Sequence, residues 1–162
     1  MKQSDIEAAR AVAFRYLGYS ARSAAEIRSR LARNEFADEM ISQVVEELRT
    51  AGYLDDAEFA RHWVQDRADR KRYGRTRLAA ELNRKGVDRD AADEALGAIG
   101  ADDEARRAME AAGPRWARID PASLDAAGLQ KEKARIAAFL TRRGFGWDTI
   151  KKVLAALVEN SG

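Results

Sequence analysis

IRSRLARNEFADEMISQVVEEL, running from Ile27 to Leu48, reads as two short helices with a stop between them. Ile27 and Leu31 stand at i,i+4, and Ile41, Val44, Val45 and Leu48 at i, i+3, i+4, i+7, the spacing of an apolar stripe on an amphipathic helix. Between them, Arg33-Asn34-Glu35-Phe36 puts a cation at a helix end, Asn34 as a left-handed stop, and an apolar residue that folds back on the last turn.

The same pattern occurs three times. Ile27, Leu31, Phe36, Ile41, Val44, Val45 and Leu48 fall on Leu78, Leu82, Val87, Ala92, Ala95, Leu96 and Ile99 at a constant shift of 51 residues. A further shift of 58 lands on Ile136, Leu140, Phe145, Ile150, Val153, Leu154 and Leu157. The stop recurs as Arg84-Lys85-Gly86-Val87 and Arg142-Arg143-Gly144-Phe145. A repeated supersecondary block of this kind is the mark of a repeat architecture.

One more helix precedes each pair. In the first unit it spans about Ser4 to Gly18, with Ile6, Val12, Phe14 and Leu17 available for burial. In the second, Asp55-Asp56-Ala57-Glu58 resembles a capping box, and the helix reaches about Arg72 on a stripe of Phe59, Trp63 and Val64. Ser23-Ala24-Ala25-Glu26 is a second such box. In the third unit the leading helix starts near Asp102 and is expected to break at Gly113-Pro114, before a looser connector from Arg118 to Gly128. The expected fold is all-α: three tandem three-helix repeats, at 1–53, 54–100 and 101–162, forming one continuous, elongated and curved solenoid. Alanine, leucine, arginine and glutamate are abundant, with only Pro114 and Pro121 as breakers.

Composition narrows function. An apolar share of 46% with 35% charged residues describes a folded, highly charged chain. Absence of cysteine excludes disulfides, thiolate metal sites and thiol nucleophiles. The polar start Met1-Lys2-Gln3-Ser4-Asp5 has no apolar signal core, and no run approaches the roughly 20 apolar residues that span a bilayer, so a cytoplasmic location is expected.

Enzyme signatures are missing. Gly144-Phe145-Gly146 lies at a helix stop rather than after a strand, so it does not read as a phosphate cradle. His62 has no motif partner and reads as a helix-face residue. Asp55-Asp56 and Asp102-Asp103 fall at helix starts and read as caps. Asp88, Asp90 and Asp93 lack the glycine of a calcium loop. No catalysis, cofactor or metal is expected.

Charge is the better clue, although the net value is only +2. Residues 67–85 hold eight cations against Asp69 and Glu81; residues 34–60 hold eight acids against Arg49. Residues 10–33 and 130–143 are also basic, and 86–110 acidic. If the units stack alike, the basic segments form one edge suited to docking on another polymer. Solvated faces with i,i+4 ion pairs account for many such charges without a partner. The crowding in Arg70-Lys71-Arg72-Tyr73-Gly74-Arg75-Thr76-Arg77 argues the other way, because like charges repel. The candidate contact residues are Arg67, Arg70, Lys71, Arg72, Arg75, Arg77, Arg84 and Lys85, with Arg28, Arg33, Lys133, Arg142 and Arg143 on the outer units. Tyr73 suits either stacking on a partner or a core role; Trp63 and Trp116 read as core and Trp147 as partly exposed.

The run Gly52-Tyr53-Leu54-Asp55-Asp56, Glu58-Phe59-Ala60, Trp63-Val64, Arg67, Tyr73-Gly74, Arg77-Leu78, Glu81-Leu82 and Lys85-Gly86-Val87 resembles the signature of the RecX family, and Leu140-Thr141-Arg142-Arg143-Gly144-Phe145 is similar to that family's closing repeat. The resemblance implies three helix-turn-helix-like units. It also implies a negative regulator that lodges in the groove of the RecA filament on single-stranded DNA and inhibits filament extension, ATP hydrolysis, strand exchange and the co-protease activity of the SOS response. The alternative is a protein that binds single-stranded or duplex DNA directly through those units. A monomer is the expectation.

Overall fold

The structure is a computed structural model and describes residues 3–162. Among these residues it holds nine α-helices and a short 3-10 turn, and no strand. In chain order they are α1 (Gln3–Leu17), α2 (Ala24–Arg33), α3 (Asp38–Thr50), α4 (Asp56–Lys71), α5 (Arg75–Arg84), α6 (Arg89–Gly97), α7 (Ala101–Trp116), the 3-10 turn Pro121–Ser123, α8 (Ala126–Arg142) and α9 (Trp147–Glu159). They form three successive triplets, as the repeat predicts.

The chain divides into two compact units. One takes the chain through His62 together with Leu82–Glu94; the other takes Trp63–Glu81 and Ala95–Gly162. Helices α4, α5 and α6 contribute residues to both.

In the first unit, α1, α2 and α3 enclose Ile27, Leu31, Val44, Val45 and Leu48, all buried. The α1 stripe is Ile6, Ala9 and Ala13, with Tyr16 and Leu17 half-buried. Phe14 departs from the expectation: it is 44% exposed and meets Tyr53 edge-on at 5.0 Å. On a 3.6-residue period the face set by Ile6 passes through the two alanines, whose small side chains carry little weight in a hydrophobicity reading. Arg10 ties α1 to α3 through a two-pronged contact with Glu47, Nε to Oε2 at 2.7 Å and the terminal nitrogen to Oε1 at 2.8 Å.

In the second unit, α7, α8 and α9 enclose Ala108, Ala112, Trp116, Ile136, Phe139, Leu140, Phe145, Ile150 and Val153. Here α7 runs unbroken through Gly113-Pro114 to Trp116, contrary to the break expected there. The ring removes one hydrogen bond in the last turn. Burying Ala108, Ala112 and Trp116, an i, i+4, i+8 stripe, requires the helix to continue past it, and tertiary packing overrides local propensity.

The stops differ in one residue. Gly86 (φ 69°) and Gly144 (φ 90°) are left-handed as expected, but in the first repeat the left-handed residue is Glu35 (φ 63°), while Asn34 stays at φ −93°. Glu35 is the position equivalent to the two glycines. The repeat register, not the residue type, sets where the chain turns.

Candidate functional site

The central feature is a joint between consecutive repeats, built the same way in each unit. In the first unit the junction Arg22–Glu26 receives the α5–α6 turn. Ser23, fully buried, caps α2 by accepting the Glu26 N–H at 3.2 Å, completes the capping box, and donates its hydroxyl to the Lys85 carbonyl. Lys85 pairs with Glu26 at 2.8 Å. A Cβ on Gly86 would fall inside van der Waals contact of the Ala25 methyl. The free N–H of Ala24 at the start of α2 is satisfied by Asp56 Oδ1 at 2.9 Å. Of the two acids expected to cap α4, Asp55 does so, accepting from Glu58 N at 3.0 Å, whereas Asp56 reaches across to α2.

In the second unit the junction Lys71–Arg77 receives the α8–α9 turn. Gly74 donates its N–H to the Arg143 carbonyl at 2.8 Å, and Thr76 to the Gly144 carbonyl at 3.1 Å. Gly74 and Gly144 stand where Ser23 and Gly86 stand in the first joint. The free N–H of Arg75, at the start of α5, is satisfied by the buried Glu104 carboxylate at 3.0 Å, as Asp56 does for Ala24. Each joint thus places a carboxylate from the next repeat at a helix N-terminus, where the orphan amides and the dipole favour it.

Basic residues of 67–77 line the second joint, and much of their charge is used inside it. Arg77 lies over the Tyr73 ring at 3.8 Å, reaches Glu81 at 3.5 Å and donates to the Arg142 carbonyl at 3.3 Å. Arg143 donates to the Lys71 carbonyl and lies 5.6 Å from the Tyr73 centroid and 5.0 Å from that of Phe139. Arg67 lies over Trp63 at 4.3 Å, and the Trp63 indole N–H donates to Glu81 at 3.0 Å. The result is a ladder of guanidinium and aromatic planes, each contact worth about 0.5–2 kcal/mol. Tyr73 therefore has a packing role.

Arg72 pairs with Glu110 at 3.3 Å, and Arg75 donates to the Ile99 carbonyl at 3.3 Å. Arg106 also pairs with Glu110, at 2.9 Å, and holds that carboxyl below its ordinary range, helped by Arg72. Burial pushes the Arg107 guanidinium below the usual arginine value, opposed by Glu104, Asp103 and Asp69. Arg72 and Arg75 are exposed as well as partnered; the candidate cations of this unit that are exposed and whose side chains take no part in the joint are Arg70, whose side chain is 81% exposed beside Asp66 at 3.0 Å, Lys71 and Arg142. Lys133, half-buried, lies away from the joint in a groove between α8 and α9.

In the first unit, Lys85 belongs to the joint, Arg84 is exposed, Arg28 donates to Ser42 Oγ at 3.2 Å, and Arg33 bonds to the Ser29 carbonyl of its own helix at 3.4 Å. His62 is exposed on α4 beside Glu58 at 3.6 Å. Among the described residues no group of three or more His, Cys, Asp or Glu side chains is placed to hold a metal ion, and no helix is long and apolar enough to cross a membrane.

Three family models match in succession and cover most of the chain. They are the first three-helix domain of RecX at residues 9–48, the second at 55–96 and the third at 102–154. The chain belongs to the RecX family. It is 35% identical to the regulatory protein RecX of Mycobacterium avium (strain 104) over 150 residues, covering 93% of this chain and 84% of that one. It is also 35% identical to the regulatory protein RecX of Prosthecochloris aestuarii over 160 residues, covering 99% and 100%. A crystal structure of RecX from Lactobacillus salivarius superimposes with a TM-score of 0.86 at 20% identity, covering 98% of this chain and 99% of that one. A second RecX crystal structure gives 0.78 at 19% identity, covering 92% and 71%. Those structures share the all-α repeat fold, and the named relatives make this chain a RecX regulatory protein. The Gly74–Gly144 apposition, the heart of this RecX joint, was not singled out from the sequence, although both glycines stand in the motifs that carry the resemblance.

Proposed function

We propose that this protein is a negative regulator of the RecA recombinase. It binds the RecA filament on single-stranded DNA in the filament groove. There it inhibits filament extension, ATP hydrolysis, strand exchange and co-protease activity, acting by contact and without chemistry of its own. Membership of the RecX family over all three domains carries the reading. The exposed cations Arg70, Lys71 and Arg142, left over after the joint is satisfied, support it. Arg70 shares its charge with the exposed neighbour Asp66, a water-screened pair that leaves it, like Lys71 and Arg142, available to phosphates or to acidic protein surfaces.

Titrating the protein into a RecA–single-stranded DNA ATPase assay tests the proposal. Sub-stoichiometric protein is expected to slow hydrolysis, and an unchanged rate at equimolar protein removes it. Tight, steeply salt-dependent binding to naked DNA with no effect on RecA would favour the alternative of a direct DNA-binding protein.

A further inference from the structure

The second and third helices of the two outer repeats each enclose a shallow groove, and equivalent positions carry different chemistry. Between α2 and α3 the groove, about 430 Å³, is polar: Arg28 closes onto Ser42, and Asp38 sits at the first residue of α3. Between α8 and α9 the groove, about 410 Å³, has Ala137 where Arg28 stands, Lys151 where Ser42 stands, and Trp147 where Asp38 stands. Ala134, Ala137 and Ala155 give it small apolar surfaces over the buried Leu154, and Lys133 joins Lys151 in the lining.

Most of this indole stays outside the core. Trp147 is 61% exposed, whereas Trp116 in the same unit is 6% exposed. It occupies a helix start, where the dipole favours an acid such as Asp38. Lys151 pairs with Asp148 at 3.5 Å, but that aspartate side chain is 92% exposed, so water screens the pair. No carboxylate lines the groove itself. An exposed tryptophan over alanines, with two lysines, is the chemistry of a stacking platform with phosphate partners.

We infer that the α8–α9 groove stacks a base of single-stranded nucleic acid on Trp147, with Lys133 and Lys151 supplying charge for the neighbouring phosphates. A duplex keeps its bases stacked on one another and does not offer a free ring face. A docked peptide helix needs successive apolar anchors at i, i+3, i+4 and i+7, for which this groove has one aromatic wall, alanines and Leu154, which is itself buried in the core. The inference deepens the proposed function by naming a nucleic-acid contact. Its test omits RecA, so that a failure here and a failure in the ATPase assay are told apart.

The experiment measures fluorescence anisotropy of labelled oligothymidylate, about 15 nucleotides long, with the full-length chain. Trp147→Ala is expected to weaken binding about 10- to 100-fold while Trp147→Phe retains most of it, in keeping with base stacking. Lys133→Glu with Lys151→Glu is expected to weaken binding and flatten its salt dependence. A duplex of the same length is expected to bind Trp147→Ala and the parent chain equally. Should the alanine variant lose its cooperative melt, Trp147→Leu keeps apolar bulk without a ring and reads the same contrast against phenylalanine. Unchanged oligothymidylate affinity without the ring overturns the inference, as does an equal loss on duplex. Poly-glutamate is the third probe: if ring removal weakens poly-glutamate and spares oligothymidylate, the groove holds acidic polypeptide and the inference is overturned.

Discussion

Gly74 and Gly144 meet backbone to backbone: a Cβ on Gly74 would collide with the Gly144 carbonyl, and a Cβ on Gly144 with the backbone and Cβ of Arg77. The contact lets two strong hydrogen bonds form, from Gly74 N and Thr76 N to the carbonyls of Arg143 and Gly144. Gly144→Ala adds strain at φ 90° to that collision. A loss of at least about 2 kcal/mol in urea-melt stability is expected. Gly74→Ala, which has no positive φ to blame, isolates the collision. A variant as stable as the parent chain would show that the joint is loose.

Ser23 does in the first unit what Gly74 does in the second, with a side chain. It satisfies both Glu26 N–H and the Lys85 carbonyl from a fully buried position. Ser23→Ala removes the cap and strands that carbonyl, for an expected loss of about 2 kcal/mol by chemical denaturation. Ser23→Thr, which keeps the hydroxyl, separates lost bonding from lost space.

Glu35 carries a left-handed backbone that its glycine equivalents adopt without strain. It is exposed, so substitution costs no packing. Glu35→Gly is expected to raise stability by up to about 1 kcal/mol, net of the extra freedom glycine gives the unfolded chain. A fall in melting temperature contradicts the assignment of strain to this residue.

Acid should test the α1–α3 tie. Arg10, followed by Gln43, holds the Glu47 carboxyl down to about 2 from an ordinary value of 4.5. The unfolded chain therefore takes up this proton first as pH falls. The contribution is fully present above about pH 4.5 and is lost between there and pH 2. Glu47→Gln should remove that part of the pH slope and leave the slope above pH 5 unchanged. Parallel stability–pH curves for the two proteins would refute it.

The exposed and the committed cations should separate in function. Reversing Arg70, Lys71 and Arg142 to Glu is expected to preserve the helical melt and abolish inhibition of the RecA ATPase. Arg77→Glu and Arg143→Glu are expected to unfold the joint, because both side chains pack on Tyr73 and bond to backbone carbonyls. Intact inhibition by the triple reversal would make that patch mere solvation.

Local chemistry carried the helices, their stripes and their stops in this chain, because periodicity and repeat register need only neighbours along the sequence. Thus Ile27 to Leu48 predicts α2, a stop and α3, but the left-handed residue expected at Asn34 is Glu35, because glutamate gives no local signal of that conformation. Tertiary structure decided the rest. Whether α7 survives Pro114 depends on what Trp116 buries, and whether Phe14 is core depends on which face Ala9 and Ala13 present. Asp56 and Glu104 cap helices of the preceding repeat, and of the cations in 67–77 the ladder absorbs Arg67 and Arg77, while Arg72 and Arg75 have partners elsewhere in the same unit. A charge in a sequence has no partner until the fold supplies one, and only the fold separates the arginines that hold the joint from those left facing solvent.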